Sequence, residues 1–301
     1  MSDWFVPAGS ATGDGYETRI SPGREGWSYT GLWTARLDAG ESRTIPCGDC
    51  EWIALPLSGS YRVDAVVNGQ EHHVELTGRD HVLAGPTDLA FIPRDSEFTV
   101  TATTAGTIAL PHAKARTAYP FAYLAATDVP VELRGAGQAS RQVQNFGTPG
   151  VLEADSLIAC EVITPAGNWS SYPPHKHDTE RDGIESELEE IYYFEMRVED
   201  TPTGRDAAHF AKPFGYQRVY GTDDQPIDVL EEVRSGDIVL VPHGWHGPAM
   251  APTGYDMYYL NVMAGPGEKR AWLICDDPAH AWVRGTWDDQ QVDGRLPLHD
   301  H

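Results

Sequence analysis

The chain has 301 residues and a formal charge of −23, from 45 acidic and 22 basic residues; this excludes nucleic acid and anionic membrane as partners, because both need a basic footprint. Its 30 glycines, 22 prolines, 9 tryptophans and 13 tyrosines favour many short strands joined by turns. No apolar run approaches the roughly 20 residues of a membrane helix.

In chain order, the opening "MSDWFVPAGSATGDGYETRI" has no basic region followed by an apolar block, so no secretory signal is expected and a cytoplasmic location is. Cys47 and Cys50 form a lone Cys-x-x-Cys in "IPCGDCEW". A zinc site needs a second pair, and a redox pair needs a helix after it, where strand-like "EWIALPL" stands instead. The pair is therefore expected to be two reduced, dispensable thiols. Strands are predicted at "EWIAL", "GSYRVDAVV", "DLAFIP" and "SEFTVTATTAGTIAL". Residues 129–140, "VPVELRGAGQAS", read as a linker.

The second half repeats the order of the first. "EIYYF" from Glu190 matches "EWIAL" from Glu51, and "DIVLVP" (237–242) matches "DLAFIP" (88–93). Two matches in the same order predict a duplicated β domain, divided into residues 1–130 and 131–301. Before "EIYYF" stands "SSYPPHKHD", and on a strand His175 and His177 share a face while Lys176 points away. That is the geometry two imidazoles need to bind one metal ion. Residues 179–189, "TERDGIESELE", read as a loop. In "YQRVYG", Gln217 and Arg218 face opposite ways, and the sequence leaves the parity open. "DDPAHAWV" predicts a short helix with Asp277 as N-cap and Pro278 at its first position.

His-x-His, then Glu and an apolar strand, then "GDIVLVPHGWH" resemble the two motifs of the cupin superfamily, small barrels of jelly-roll type with an internal metal. The resemblance implies an all-β bicupin, two such barrels in tandem with few short helices, and His175, His177, Glu190 and His246 as ligands of one divalent ion. Ligand type does not choose between Zn, Mn and Fe. Glu187 and Glu189 compete with Glu190, which follows an acidic loop of twelve residues, 178–189, after His177; His243 competes with His246. The first half has neither His-x-His before Glu51 nor a histidine in "RDSEF" after Pro93. It is expected to hold no metal and to serve packing and dimerisation in a homo-oligomer.

The wording is closer than superfamily level. "GWSYTGLWTARL", "FIPRDSEF", "ASRQVQNF", "YPPHKHD", "ELEEIYYF", "YQRVYG", "VPHGWH", "GYDMYYLNVMAGP" and "DDPAHAWV" together resemble the 5-deoxy-glucuronate isomerase family of bacterial inositol catabolism, over nearly the whole chain. The resemblance implies conversion of 5-deoxy-D-glucuronate to 5-dehydro-2-deoxy-D-gluconate, moving a carbonyl from C1 to C2. Glu190 is then ligand or base, and Tyr192, on the same strand face, a proton relay. Arg141 or Arg218 is the candidate partner of the sugar carboxylate, and Tyr259, with Tyr258 and Asn261, a candidate cavity residue. The sister family of 5-keto-4-deoxyuronate isomerases shares the ligand pattern but lacks "YYLNVMAGP". A cupin dioxygenase with the same ligands, or a sugar-binding bicupin without chemistry, are the readings from other classes.

Overall fold

The computed structural model describes residues 3–298, so residues 1, 2 and 299–301 of the two expected spans lie outside it. Four main sheets make two sandwiches. In the first, a six-stranded sheet containing Thr30–Leu37, Cys50–Pro56, Leu89–Ile92 and Gly106–Lys114 covers a four-stranded sheet containing Gly59–Val67 and Glu97–Ala102. In the second, a seven-stranded sheet containing Ile158–Thr164, Glu189–Val198, Ile238–Val241 and Tyr255–Ala264 covers a six-stranded one containing His175–Lys176, Gly215–Tyr220 and Trp245–Met250. No helix among the described residues is long and apolar enough to cross a membrane.

The six- and seven-stranded sheets lie back to back. Ile53, Leu55 and Phe91 of one pack in a single core with Ile191, Tyr193, Leu240 and Leu260 of the other. Each sandwich has its own inner core as well, around Trp52, Tyr61 and Phe98 in the first and around Tyr192, Phe194 and Met257 in the second. The central strands are thus buried on both faces, which explains why "IALPL" and "IYYF" run continuously apolar instead of alternating.

The register corrects the repeat by one residue. Trp52 pairs with Ile92, and Glu190 pairs with Val241; Ile92 and Val241 both directly precede the proline of their motif. The counterpart of Glu190 in the first half is therefore Trp52, and Glu51 corresponds to Glu189. Trp52 stacks on the ring of His112 at 3.8 Å, and a Cβ on Gly31 would stand 2.0 Å from His112 Nε2. Two aromatic rings thus fill the first barrel where the second has a carboxylate. Burial pushes the thiols of Cys47 and Cys50 up to about 12, which leaves them protonated.

Glu51 and Glu189 make reciprocal latches between the sandwiches. Glu51 accepts the backbone N–H groups of Asp155, Ser156 and Leu157 at 2.7–2.9 Å. Glu189 accepts those of Ser28, Tyr29 and Thr30 at 2.6–2.9 Å, and the Thr30 hydroxyl at 3.0 Å. Truncating either acid leaves three backbone donors without their acceptor. Glu189→Ala is expected to cost about 3 kcal/mol or more, read as a lower denaturant midpoint, with Glu189→Gln milder because one acceptor oxygen remains.

Four local expectations change. Residues 131–134 are not linker but an edge strand of the seven-stranded sheet, Val131–Arg134, beside Arg141–Gly147. Within 179–189 the chain forms a hairpin, Asp178–Arg181 with Glu185–Glu187, because Lys176 and Arg181 both pair with the buried Glu185. The helix near 277 is a 3-10 helix, Ala281–Asp289, that starts later. Asp277 instead closes the turn before it, accepting from Ala279 N–H at 2.8 Å and from the Tyr220 hydroxyl at 2.5 Å. The short strand Phe5–Val6, inside the span expected to form the first barrel, extends the sheet of the second by pairing with Ile238–Val241.

Candidate metal centre

Glu190 lies on the interior face of Glu189–Val198, which pairs with Ile238–Val241 on one side and with Tyr255–Ala264 on the other. His246 lies on Trp245–Met250, paired with His175 across the sheet. His177 follows His175–Lys176 and is tied to Leu188, next to the carboxylate strand. The ligand atoms of His177, Glu190 and His246 all lie within 4.8 Å of one another, and each of the three is at most 2% exposed. His175 is outside that tight trio, yet its ring centre is 4.5 Å from that of His246. Lys176 points away, held by Asp178 and Glu185 with its ammonium over the Trp245 ring.

The residues fit a cation. His175 Nδ1 lies 3.2 Å from the Pro173 carbonyl, His177 Nδ1 3.1 Å from that of Leu188, and His246 Nδ1 3.1 Å from that of Gly244. A carbonyl only accepts, so each Nδ1 carries a proton, which leaves the Nε2 atoms of His175 and His246 to present lone pairs. Glu190 Oε2 stands 3.1 Å from His177 Nε2 and 3.2 Å from His246 Nε2. The His246 contact is close without being a hydrogen bond, and its buried Nε2 has no partner. The His177 contact is a hydrogen bond, but the His246 lone pair and the carboxylate oxygen repel unless a positive charge sits between them. Burial pushes His175 down to about 3 and His246 well below its usual range, which favours the neutral form that metals bind. For His177 burial acts in the same direction, but the hydrogen bond and charge of Glu190 outweigh it and raise the pKa.

The rivals sit elsewhere. Glu189 is occupied by the 28–30 backbone, Glu187 is exposed, and His243 is not part of the cluster.

A cavity of about 210 Å³ opens beside the trio, with Glu190, His175, Tyr192, Tyr259 and Asn261 in its wall. Three arginines join them, Arg134, Arg141 and Arg284. Arg134 pairs with Glu132 and Arg284 with Asp276. Arg141 is 7% exposed, donates to the Ala139 carbonyl at 3.0 Å, and has no carboxylate at ion-pair distance among the described residues. Burial, and then the like charges of Arg134 and Arg284, push its pKa down to about 10. The wall therefore carries a buried positive charge with no carboxylate at ion-pair distance among the described residues.

Sequence reasoning missed Arg134 and Arg284, since the first lay in a supposed linker and the second beyond the expected helix start. It left Arg218 and Arg141 as equals. The structure separates them: Arg218 faces outward, donating to Asp228 and the Val219 and Val229 carbonyls, while Gln217 is the residue that faces in. Tyr258 also lies apart from the cavity, its hydroxyl 2.5 Å from Glu161 in the layer between the sandwiches, where Glu161 pairs with Arg79. In the cavity, Ser171 Oγ is 3.1 Å from the hydroxyls of both Tyr192 and Tyr259. Burial pushes both phenols up, Tyr259 to about 12.

The sequence matches the KduI/IolB family over residues 4–283. A 5-deoxy-glucuronate isomerase of Geobacillus kaustophilus (strain HTA426) is 38% identical over 284 residues, 94% of this chain and 96% of that one. An IolB-like protein of Salmonella typhimurium LT2 has a crystal structure that superposes with a TM-score of 0.81 at 34% identity, over 94% of this chain and 99% of that one. Oxalate decarboxylase of Lactobacillus farciminis, 12% identical with a TM-score of 0.63 over 92% of this chain and 89% of that one, shares the fold alone.

Proposed function

The chain belongs to the KduI/IolB family, and on that premise we propose that it is an aldose–ketose isomerase converting 5-deoxy-D-glucuronate to 5-dehydro-2-deoxy-D-gluconate in myo-inositol catabolism. The observation that carries this reading to the site is one cavity lined by both Glu190 and the unmatched guanidinium of Arg141. A sugar acid brings the anion that Arg141 lacks and places its other end at the trio.

In this reading His175, His177, Glu190 and His246 hold one divalent ion, Zn, Mn or Fe. Such an ion supplies Lewis-acid polarisation of a carbonyl and stabilises negative charge growing on oxygen. Arg141, flanked by Arg134 and Arg284, grips the carboxylate and fixes which end of the sugar reaches the reacting centre. Glu190, whose Oε2 faces His177 and His246, would help to hold the ion, and its other oxygen is the candidate proton acceptor for an enediol route. Tyr192 and Tyr259 stay protonated and donate to sugar oxygens. Residues 131–301 carry all of these groups, and residues 1–130 serve packing and dimerisation of a cytoplasmic homo-oligomer.

The test is incubation of the metal-loaded protein with 5-deoxy-D-glucuronate under anaerobic conditions. Formation of the 2-ketose supports the isomerase. Dependence on oxygen would point to a dioxygenase, and absence of turnover to a binding protein. Turnover of the 5-keto-4-deoxyuronate alone would move the protein to the sister activity.

A further inference from the structure

We propose that Ser171 links Tyr192 and Tyr259 into a three-hydroxyl path that carries a proton between the two oxygens of the substrate that exchange their carbonyl. The proposal rests on the isomerase reading and adds a residue that the ligand motifs do not contain.

The geometry is specific. One hydroxyl, Ser171 Oγ, lies 3.1 Å from each of two phenol oxygens that come from different strands, Glu189–Val198 and Tyr255–Ala264. All three residues line the cavity with Glu190. Ser171 is 7% exposed, so bulk water does not compete for these bonds. Its backbone is held at φ +48°, a left-handed conformation that few residues other than glycine adopt and that persists only where the surroundings enforce it. Gly247 permits the arrangement: a Cβ there would stand 1.7 Å from the Ser171 carbonyl oxygen, so only glycine lets the neighbouring strand pack this closely. A serine used only for packing would not need a strained backbone to bring one hydroxyl between two tyrosines.

The chemistry balances without any other reactant. Turning an aldose into a 2-ketose removes the proton from O2, adds one to O1, and moves the hydrogen on C2 to C1. In the path, one phenol accepts the O2 proton as it donates its own to Ser171 Oγ. Ser171 donates to the other phenol, which donates to O1. Each hydroxyl ends as it began, protonated and neutral, and no electrons enter or leave the protein. The path serves equally whether the carbon-bound hydrogen moves as a proton through a base or as a hydride. Ser171 is a positioning residue here, acting through the two phenols that meet the sugar.

The experiment compares the metal-loaded wild type with Ser171→Gly and Ser171→Ala. Glycine accepts the left-handed backbone freely and alanine does not, so a loss common to both belongs to the hydroxyl. Expected are an unchanged metal content, a KM within about threefold of wild type, and a kcat at least about 100-fold lower, with a changed solvent deuterium isotope effect on kcat. The ¹³Cζ resonances of Tyr192 and Tyr259, assigned through Tyr192→Phe and Tyr259→Phe, should both move in Ser171→Gly. Wild-type kcat in Ser171→Gly, a rise in KM alone, loss of metal, or two unmoved tyrosine resonances would each overturn the path. A wild type that does not turn over the sugar acid overturns the isomerase reading and the path with it, whereas an active wild type beside an equally active Ser171→Gly overturns the path alone.

Discussion

His177→Ala and His246→Ala are each expected to empty the metal site and abolish turnover, while His243→Ala keeps the metal and most of the activity. The reason lies in the shared carboxylate oxygen. Glu190 Oε2 faces both imidazole nitrogens at 3.1 and 3.2 Å, so each histidine supplies a third of the tight trio, and removing one leaves two donors and an opened cavity. Loss of an outer partner alone costs roughly 10–100-fold in metal affinity; loss of a ligand should exceed that. His175→Ala is expected to weaken binding in the same way, through the nitrogen left free by its bond to Pro173. Metal analysis after dialysis against a mild chelator reads all four variants. About one equivalent is expected for wild type and for His243→Ala; retention in His246→Ala with loss in His243→Ala would reverse the motif assignment.

Arg141→Gln is expected to raise KM for the sugar acid by roughly ten- to a hundredfold, the equivalent of about 1.5–3 kcal/mol for a charged hydrogen-bonded contact. Arg218→Gln should leave KM unchanged, because that guanidinium is already engaged by Asp228 and two carbonyls on the outer face. Two further readouts separate binding from folding. A neutral sugar of the same shape should respond little to Arg141→Gln, having no carboxylate to lose. Thermal stability of the variant without substrate should not fall, since the substitution removes a buried charge that no protein carboxylate neutralises. If Arg141→Gln binds the acid normally, Arg134 and Arg284 or the ion itself holds the anion.

How far each residue was legible in the sequence follows from how local its constraint is. His175 and His177 sit two apart in one short segment, and His246 closes a motif of eleven residues, so strand geometry alone brings each near its place. Glu190 was found by the apolar run that follows it, although its distance from His177 is unusual. The hairpin of residues 178–187 accounts for that distance: it leaves after His177 and returns before Glu189 without disturbing the barrel wall. Arg134 and Arg284 had no comparable signal. Arg134 lies in a stretch read as linker and is set opposite Arg141 by the pairing of Val131–Arg134 with Arg141–Gly147, whereas Arg284, on a 3-10 helix far along the chain, joins them only through the tertiary fold.

The amino-acid sequence by itself determined the all-β class, through short β-branched and aromatic runs bounded by turns, and the family, through wording that resembles its members over nearly the whole chain. Three things were decided only by the tertiary structure. The repeat register could not be read because back-to-back packing buries both faces of the central strands, so Glu51 and Trp52, like Glu189 and Glu190, all look like interior positions. The parity of Gln217 and Arg218 awaited the pairing of Gly215–Tyr220 with Trp245–Met250, which turns Gln217 inward. The serine between two tyrosines needed three segments to meet, at residues 171, 192 and 259, and a glycine on a fourth strand, Trp245–Met250, to leave room for one of them. Contacts of that separation depend on the docking of whole sheets, and no window of local pattern contains them.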